Sequence, residues 1–210
     1  MSITQNPLMG QMRKSMGNFT TTSYGGENFV RSKAFRRTGK QSDAQKKHIS
    51  RFKLLAKMYG SLGGMTDLGF VENRIRKSAY NLFMSANLST AFDDSADLPV
   101  ISYPLLLVSK GSLPAMKVVE SVMIVEGITM RYETNLSLPR VSATDEVVAL
   151  AKTKEGLIRF ERQTRGSEPI GSITIHHPNM KAMDIECCYI FVRSADGKKA
   201  STSVFVPINN

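Results

Sequence analysis

The 210-residue chain has no tryptophan and only two cysteines, Cys187 and Cys188, which are adjacent. Side chains of neighbouring residues diverge, so this pair does not predict an ordinary disulfide. A run of the roughly 18 apolar residues that a membrane-spanning helix needs is also missing. The first ten residues lack the basic and apolar regions of a secretory signal. We therefore expect a protein of a reducing compartment, in the cytoplasm or in a virion, although export without a classical signal stays open.

Sequence motifs of catalysis are equally scarce. The chain contains no GxGxxG, GxxxxGK[ST], HExxH, GxSxG or CxxC pattern. His176, His177, Cys187 and Cys188 offer zinc-ligand chemistry, but adjacent residues on a strand point to opposite faces, so only two of the four could share a site. His48 falls on an apolar helix face and is better explained as a packed side chain. We expect no enzyme, no cofactor, no metal and no small-molecule substrate.

The chain does carry an uneven distribution of charge. Residues 1–60 contain twelve basic and two acidic residues, whereas residues 61–210 contain sixteen of each, so the formal charge of +10 is entirely N-terminal. Such a front end predicts binding to a phosphate backbone, an anionic lipid or an acidic protein, and the alternative is a solvated helix face. We call residues 31–57 the basic segment. Its candidate binding residues are Arg31, Lys33, Arg36, Arg37, Lys40, Lys46, Lys47, Arg51, Lys53 and Lys57.

The N-terminal 41 residues predict a basic arm with a hairpin. Residues 1–17 have no clear periodicity and suggest an extended arm. Two β-prone runs then flank Gly25 and Gly26, which is a hairpin signal.

Two amphipathic helices are predicted in residues 42–97. Ser42 and Gln45 form a capping box at the start of the first helix, which the glycines at 60, 63 and 64 end. Its predicted core face comprises Gln45, His48, Ile49, Phe52, Leu55, Ala56 and Tyr59, whereas Leu54 and Met58 fall among the basic residues. The second helix is predicted from about Val71 to Phe92.

Residues 98–210 predict β-strands throughout. The expected strands are Val100–Val108, Ala115–Val125, Ile128–Thr134, Glu146–Thr153, Leu157–Gln163, Ser172–His177, Ile185–Arg193 and Ser201–Val206. Their number and spacing are typical of an immunoglobulin-like or fibronectin-like antiparallel sandwich. The predicted class is α+β, with a basic arm and hairpin (1–41), a helical pair (42–97) and an Ig-like β-sandwich (98–210).

Several short motifs resemble those of a Bacteroidota family catalogued only as a domain of unknown function. They are Gly17-Asn18, Gly25 to Lys33, Gln45, Arg51 to Lys53, Gly69-Phe70, Ser78 to Asn81, Tyr103, Ser109 to Leu113, Tyr189, Phe191, Asp196-Gly197, Ser201 and Ser203. The chain departs from the family where the first hairpin usually carries Tyr and Trp, and at Tyr132 or nearby, where a Trp is common. The resemblance implies the helix-pair and β-sandwich layout and a bacterial or bacteriophage origin, but no activity.

These observations predict a non-enzymatic structural or assembly subunit of a large bacterial or bacteriophage particle. The basic arm and first helix would bind neighbouring subunits or nucleic acid, within a homo-oligomer or multi-subunit assembly. The alternative is a free DNA- or RNA-binding protein with an Ig-like body, although the chain has no recognised nucleic-acid-binding motif. A surface adhesion module would need export that the N-terminus does not encode.

Overall fold

The computed structural model describes residues 2–3, 14–24, 27–33, 39–72, 74, 77–93, 98–125, 127–176 and 184–208. They belong to two compact units, Met1–Gln41 and Ser42–Asn210. The predictions for Gly25, Gly26, Arg36, Arg37 and His177 lie outside the described residues.

The first unit contains a four-stranded antiparallel sheet. Its strands are β1 (Ser2–Ile3), β2 (Lys14–Met16), β3 (Phe19–Tyr24) and β4 (Glu27–Ser32), in the order β1-β4-β3-β2. The predicted hairpin is confirmed, because β3 and β4 pair from Phe19 with Ser32 to Tyr24 with Glu27. Within the predicted arm, residues 2–3 and 14–16 are strands that pair with this hairpin. Gly17, with a φ of 54°, makes the tight turn into β3.

The second unit begins with three helices, α1 (Asp43–Leu62), α2 (Met65–Gly69) and α3 (Ala79–Asn87). The capping box of α1 is confirmed: Ser42 Oγ accepts from the Gln45 amide at 3.3 Å, and Gln45 Oε1 accepts from the Ser42 amide at 3.1 Å. α1 runs past Gly60 and ends at Leu62, and the φ of 58° at the following Gly63 suits a residue that caps a helix C-terminus.

The second helix is shorter than predicted because side chains hold the segment before it. Arg74 donates to the carbonyl oxygens of Phe70 and Asp67 at 2.6 and 2.7 Å, which satisfies acceptors at the end of α2 without further helix. α3 starts only at Ala79, where Ser78 Oγ caps the amide of Asn81.

One long strand was also predicted incorrectly. The segment Val100–Val108 contains only the short strand β6 (Val100–Ile101), which pairs with β5 (Phe92–Asp93), and then a 3-10 helix, Tyr103–Leu105. Pro104 lies in the first turn of that helix, where its missing amide hydrogen costs no hydrogen bond.

The remaining strands form two antiparallel sheets. They are β7 (Lys117–Ile124), β8 (Gly127–Glu133), β9 (Glu146–Thr153), β10 (Ile158–Thr164), β11 (Ile170–His176), β12 (Ile185–Arg193) and β13 (Val204–Phe205). One sheet has the order β11-β8-β7, and the other has the order β10-β9-β12-β13. The predicted α+β class with mostly antiparallel sheets is confirmed.

Both faces of β9 and β12 are covered. Val148 and Leu150 of β9 pack in a core with the helices, together with Tyr189 and Phe191 of β12. Their sequence neighbours point the other way, into a second core that the two sheets share. The helices and the strands of residues 42–210 therefore share a hydrophobic core, and a domain boundary between residues 97 and 98 stays a prediction.

Candidate macromolecule-binding surface

The first part of the basic segment belongs to the N-terminal sheet and the residues that follow it. Arg31 lies on β4 opposite Thr20, and its side chain is exposed. The Lys33 amide donates to the Asn18 carbonyl oxygen at 2.6 Å, which fixes the backbone while the side chain stays exposed. Lys40 is exposed as well. These three cations are available to an anionic partner.

Helix α1 presents a row of three exposed lysines. Lys46, Lys53 and Lys57 are separated by seven and four residues, so they lie along one side of the helix. Lys46 pairs with Asp43 at 2.8 Å, but the two side chains are 60% and 98% exposed, so the pair is weak and can be exchanged for an external anion.

Two other candidate residues of α1 face the body of the second unit. The Arg51 guanidinium lies over the Phe92 ring, 5.3 Å from its centroid, and the side chain is half-buried. Such a cation–π contact fastens the helix to β5. Lys47 is also half-buried. The ten predicted residues therefore differ in exposure, and Arg51 has a contact within the second unit.

The apolar surface of α1 differs from the predicted core face. The buried residues are Leu55, Met58 and Leu62, and Met58 was predicted to point outward. Ile49 and Phe52, predicted to face the core, are 36% and 43% exposed. The reason is that the helix packs through its C-terminal half, where Tyr59 contacts aromatic rings of α3. The prediction missed an apolar strip beside the lysines.

His176 and the two cysteines do not converge. Cys187 packs in the core with the helices and Cys188 in the core between the sheets, whereas His176 is exposed. Burial raises the pKa of the Cys187 thiol to about 11 and raises that of Cys188 as well. The described residues contain no group of three or more potential metal ligands among His, Cys, Asp and Glu.

A partly buried polar network that the sequence analysis missed joins β9, β12 and the 3-10 helix. Lys152 Nζ donates to Glu186, and Glu186 also accepts from the Tyr103 hydroxyl. The Lys152 and Glu186 side chains are only 9% and 25% exposed. Burial, and secondarily Cys187, raises the pKa of Tyr103. The sequence feature that could have indicated this network is Lys152, a single lysine at the end of an apolar run. The network fixes the 3-10 helix on the sheet.

Two clefts offer little convergent chemistry. The first, of about 330 Å³, is lined in part by Phe70, Glu72 and Lys110. Glu72 Oε1 already accepts from the Ser112 amide and hydroxyl and from the Ala200 amide, at 2.8–3.1 Å. This carboxylate therefore ties two loops together.

The second cleft has an ion-pair cluster at its surface. Glu146 lies 3.5 Å from Arg162 and 3.8 Å from Arg193, and Asp196 also lines the cleft. The charges of these four side chains cancel, so the cleft has no excess charge with which to attract an ionic ligand.

Comparison with known proteins identifies the family of the chain. Residues 11–207 match the family described as a family of unknown function (DUF6266). The chain belongs to this family. The match extends over both compact units: it covers β2, β3 and β4 of the N-terminal sheet, the helices and the two sheets of the second unit. No curated protein matches the chain.

Several of the motif residues named in the sequence analysis have a structural role. Ser109 Oγ donates to the carbonyl oxygens of Gly69 and Ser201 at 2.9 and 2.6 Å, and Ser203 Oγ accepts from the Val108 and Ser109 amides. A β-carbon on Gly69 would lie within 3.0 Å of Val108 and Ser109. These contacts hold the end of α2 against Ser109 and against the segment that precedes β13.

Proposed function

We propose that the chain is a non-enzymatic structural subunit of a large bacterial or bacteriophage particle, with its basic segment bound to a neighbouring macromolecule. The observation that carries this proposal is the exposure of six cations of the basic segment: Arg31, Lys33, Lys40, Lys46, Lys53 and Lys57. Residues 61–210 have balanced charge, so the attraction for an anionic partner is concentrated in these cations.

The proposal includes a packing role for the β-rich part. Two antiparallel sheets with a common core support an Ig-like or fibronectin-like sandwich, a layout that serves as a rigid module. Within such a subunit the β-sandwich would be the rigid body, and the basic segment would bind the neighbouring macromolecule. Among the described residues no helix has the length and apolar character to cross a membrane.

Neutralisation of the six exposed cations in the full-length chain tests the proposal. Each is replaced by glutamine, and mass is measured across protein concentrations with and without duplex DNA. A matched control variant neutralises six exposed cations outside the basic segment: Lys77, Lys110, Arg140, Lys154, Lys198 and Lys199. Both variants lose the same charge, so a general effect of net charge would appear in both.

We expect the unaltered chain and the control to form oligomers, alone or on a partner subunit, and the first variant to remain monomeric. A different result would favour a free nucleic-acid-binding protein: a stable monomer whose DNA affinity falls steeply with salt. In that case the log–log slope should decrease by about five when the six cations are removed, at about 0.9 per phosphate. If neither assembly nor DNA affinity depends on the six cations, the proposal is wrong.

A further inference from the structure

One face of α1 combines apolar and basic side chains. Ile49, Phe52 and Ala56 lie three and four residues apart and form a strip along the helix, and Gln45 extends this strip by one turn. The row of Lys46, Lys53 and Lys57 runs directly beside it. We call these seven residues the docking face.

The docking face is available because α1 is anchored elsewhere. Leu55, Met58 and Leu62 are buried on the other side of the helix, and Arg51 holds Phe92. Ile49 and Phe52 are therefore fixed in position while 36% and 43% of their surface remains exposed. Because α1 is already ordered, it can bind a second helix without a loss of its own conformational entropy.

We propose that the docking face binds an acidic amphipathic helix of a different protein. The strip would receive apolar side chains spaced at i, i+3, i+4 and i+7, and the lysine row would pair with carboxylates along one flank of that helix. This inference rests on the proposed function, and it names the chemistry of the neighbouring subunit.

Charge argues against a second copy of the chain as the occupant. Residues 61–210 carry as many basic as acidic residues, and several carboxylates are already paired with cations. Glu133 pairs with Lys117, and Glu120 lies 3.4 Å from Arg131. A second copy therefore has no excess of negative charge to offer to the lysine row.

The shape of the face argues against lipid and nucleic acid. Ile49 and Phe52 are each more than half covered. They therefore leave little apolar surface to bury, whereas a membrane-surface helix buries its apolar face about 5–10 Å into the boundary between headgroups and acyl chains. Phosphates would contact the lysines but leave the apolar strip without a partner. A helix packed at roughly 8–10 Å between axes brings its own side chains into the strip.

A synthetic peptide serves as the probe. It carries Leu at helical spacing and Glu on the flanks, and a scrambled peptide of the same composition is the control. Fluorescence anisotropy measures the dissociation constant of each peptide with the full-length chain. Phosphatidylglycerol vesicles and duplex DNA are tested in parallel, and sedimentation measures self-association.

Variants of the docking face are compared with variants of exposed residues elsewhere. Phe52→Ser and Lys53→Gln should each weaken binding of the amphipathic peptide by about three- to tenfold. Val125→Ser and Lys198→Gln should leave it unchanged, since Val125 follows β7 and is 91% exposed, and Lys198 lies on the exposed turn after β12. The scrambled peptide should bind at least about tenfold more weakly than the amphipathic one.

Equal binding of the two peptides would overturn the inference, because net charge alone would then explain the affinity. Vesicle or DNA binding that depends on Phe52, or self-association that does so, would overturn it in favour of that occupant. If the peptide fails to bind while assembly still requires the six exposed cations, only this inference fails and the proposed function stands.

Discussion

The side chain of Asn87 should contribute strongly to the free energy of unfolding, although nothing in the sequence around it indicates this. Its side chain is fully buried at the end of α3. Nδ2 donates to the carbonyl oxygens of Phe83 and Leu107 at 3.0 and 2.9 Å, and Oδ1 accepts from the Leu107 amide at 2.8 Å. One amide therefore joins the helix to the segment that follows the 3-10 helix, and Asn87→Ala removes all three hydrogen bonds.

The expected loss follows from these three bonds. Each contributes about 1 kcal/mol net, and unpaired groups of Leu107 add to the loss only where water cannot reach them, so we expect a decrease of about 3 kcal/mol in the free energy of unfolding. For a unit of this size, that corresponds to a decrease of roughly 6–12 °C in Tm.

Thermal and urea denaturation followed by circular dichroism measure the effect. Asn81→Ala is the matched control, because it changes the same residue type on the same helix at an exposed position. We expect the control to stay within about 0.5 kcal/mol of the unaltered chain. If both variants have the same stability, the hydrogen bonds of Asn87 do not hold α3 and the reasoning is refuted.

Two further predictions concern a glycine and a thiol. A β-carbon on Gly111 would lie within 3.0 Å of Ala200 and Glu72, so Gly111→Ala should lower the free energy of unfolding by about 1–3 kcal/mol in urea titrations, whereas Gly64→Ala, which meets no atom within 4 Å, should not. Burial raises the pKa of Cys187 from 9.0 to about 11, so its contribution to stability is full below pH 9 and is lost as pH rises toward 11. The decline should be smaller in Cys187→Ala, and an equal decline would contradict the assignment.

The strands that were predicted most accurately contain a long apolar run, residues 147–151 in β9 and residues 187–192 in β12. The predicted and observed bounds of β9 and β12 are identical, Glu146–Thr153 and Ile185–Arg193. Long apolar runs at this length indicate strands that are covered on both faces, and the signal does not depend on tertiary detail. The start of α1 was equally clear, since a capping box is local chemistry between residues three positions apart.

The direction in which α1 faces could not be predicted. Periodicity placed Phe52 in the apolar arc and Met58 outside it, yet Met58 is 6% exposed and Phe52 is 43% exposed. The choice depends on what the neighbouring elements supply: an aromatic ring for Arg51 on one side and the rings of α3 near Tyr59 on the other. These contacts are made with residues distant in sequence, so the hydropathy pattern of α1 cannot indicate them.

The candidate site was predictable only in its charge. Counting Lys and Arg identified the basic segment, but the sequence did not separate the exposed lysines from Lys47 and Arg51. The ion pair of Lys152 could not be predicted either, because its partner Glu186 lies 34 residues away along the chain. Such pairs form through strand register, which a single sequence specifies only weakly.

Neither face of the central strands β9 and β12 is exposed to solvent. The factor that fixes the register between these two strands therefore differs from that in a half-exposed strand. In a half-exposed strand, a slip by one residue is penalised because it drives polar groups inward. Here the two sides differ in bulk: Ala149 and Ala151 point toward the other sheet, whereas Leu150, Tyr189 and Phe191 point toward the helices. Alignment is therefore enforced by volume, and an enlargement such as Ala149→Leu would be harmful although it makes the strand more hydrophobic.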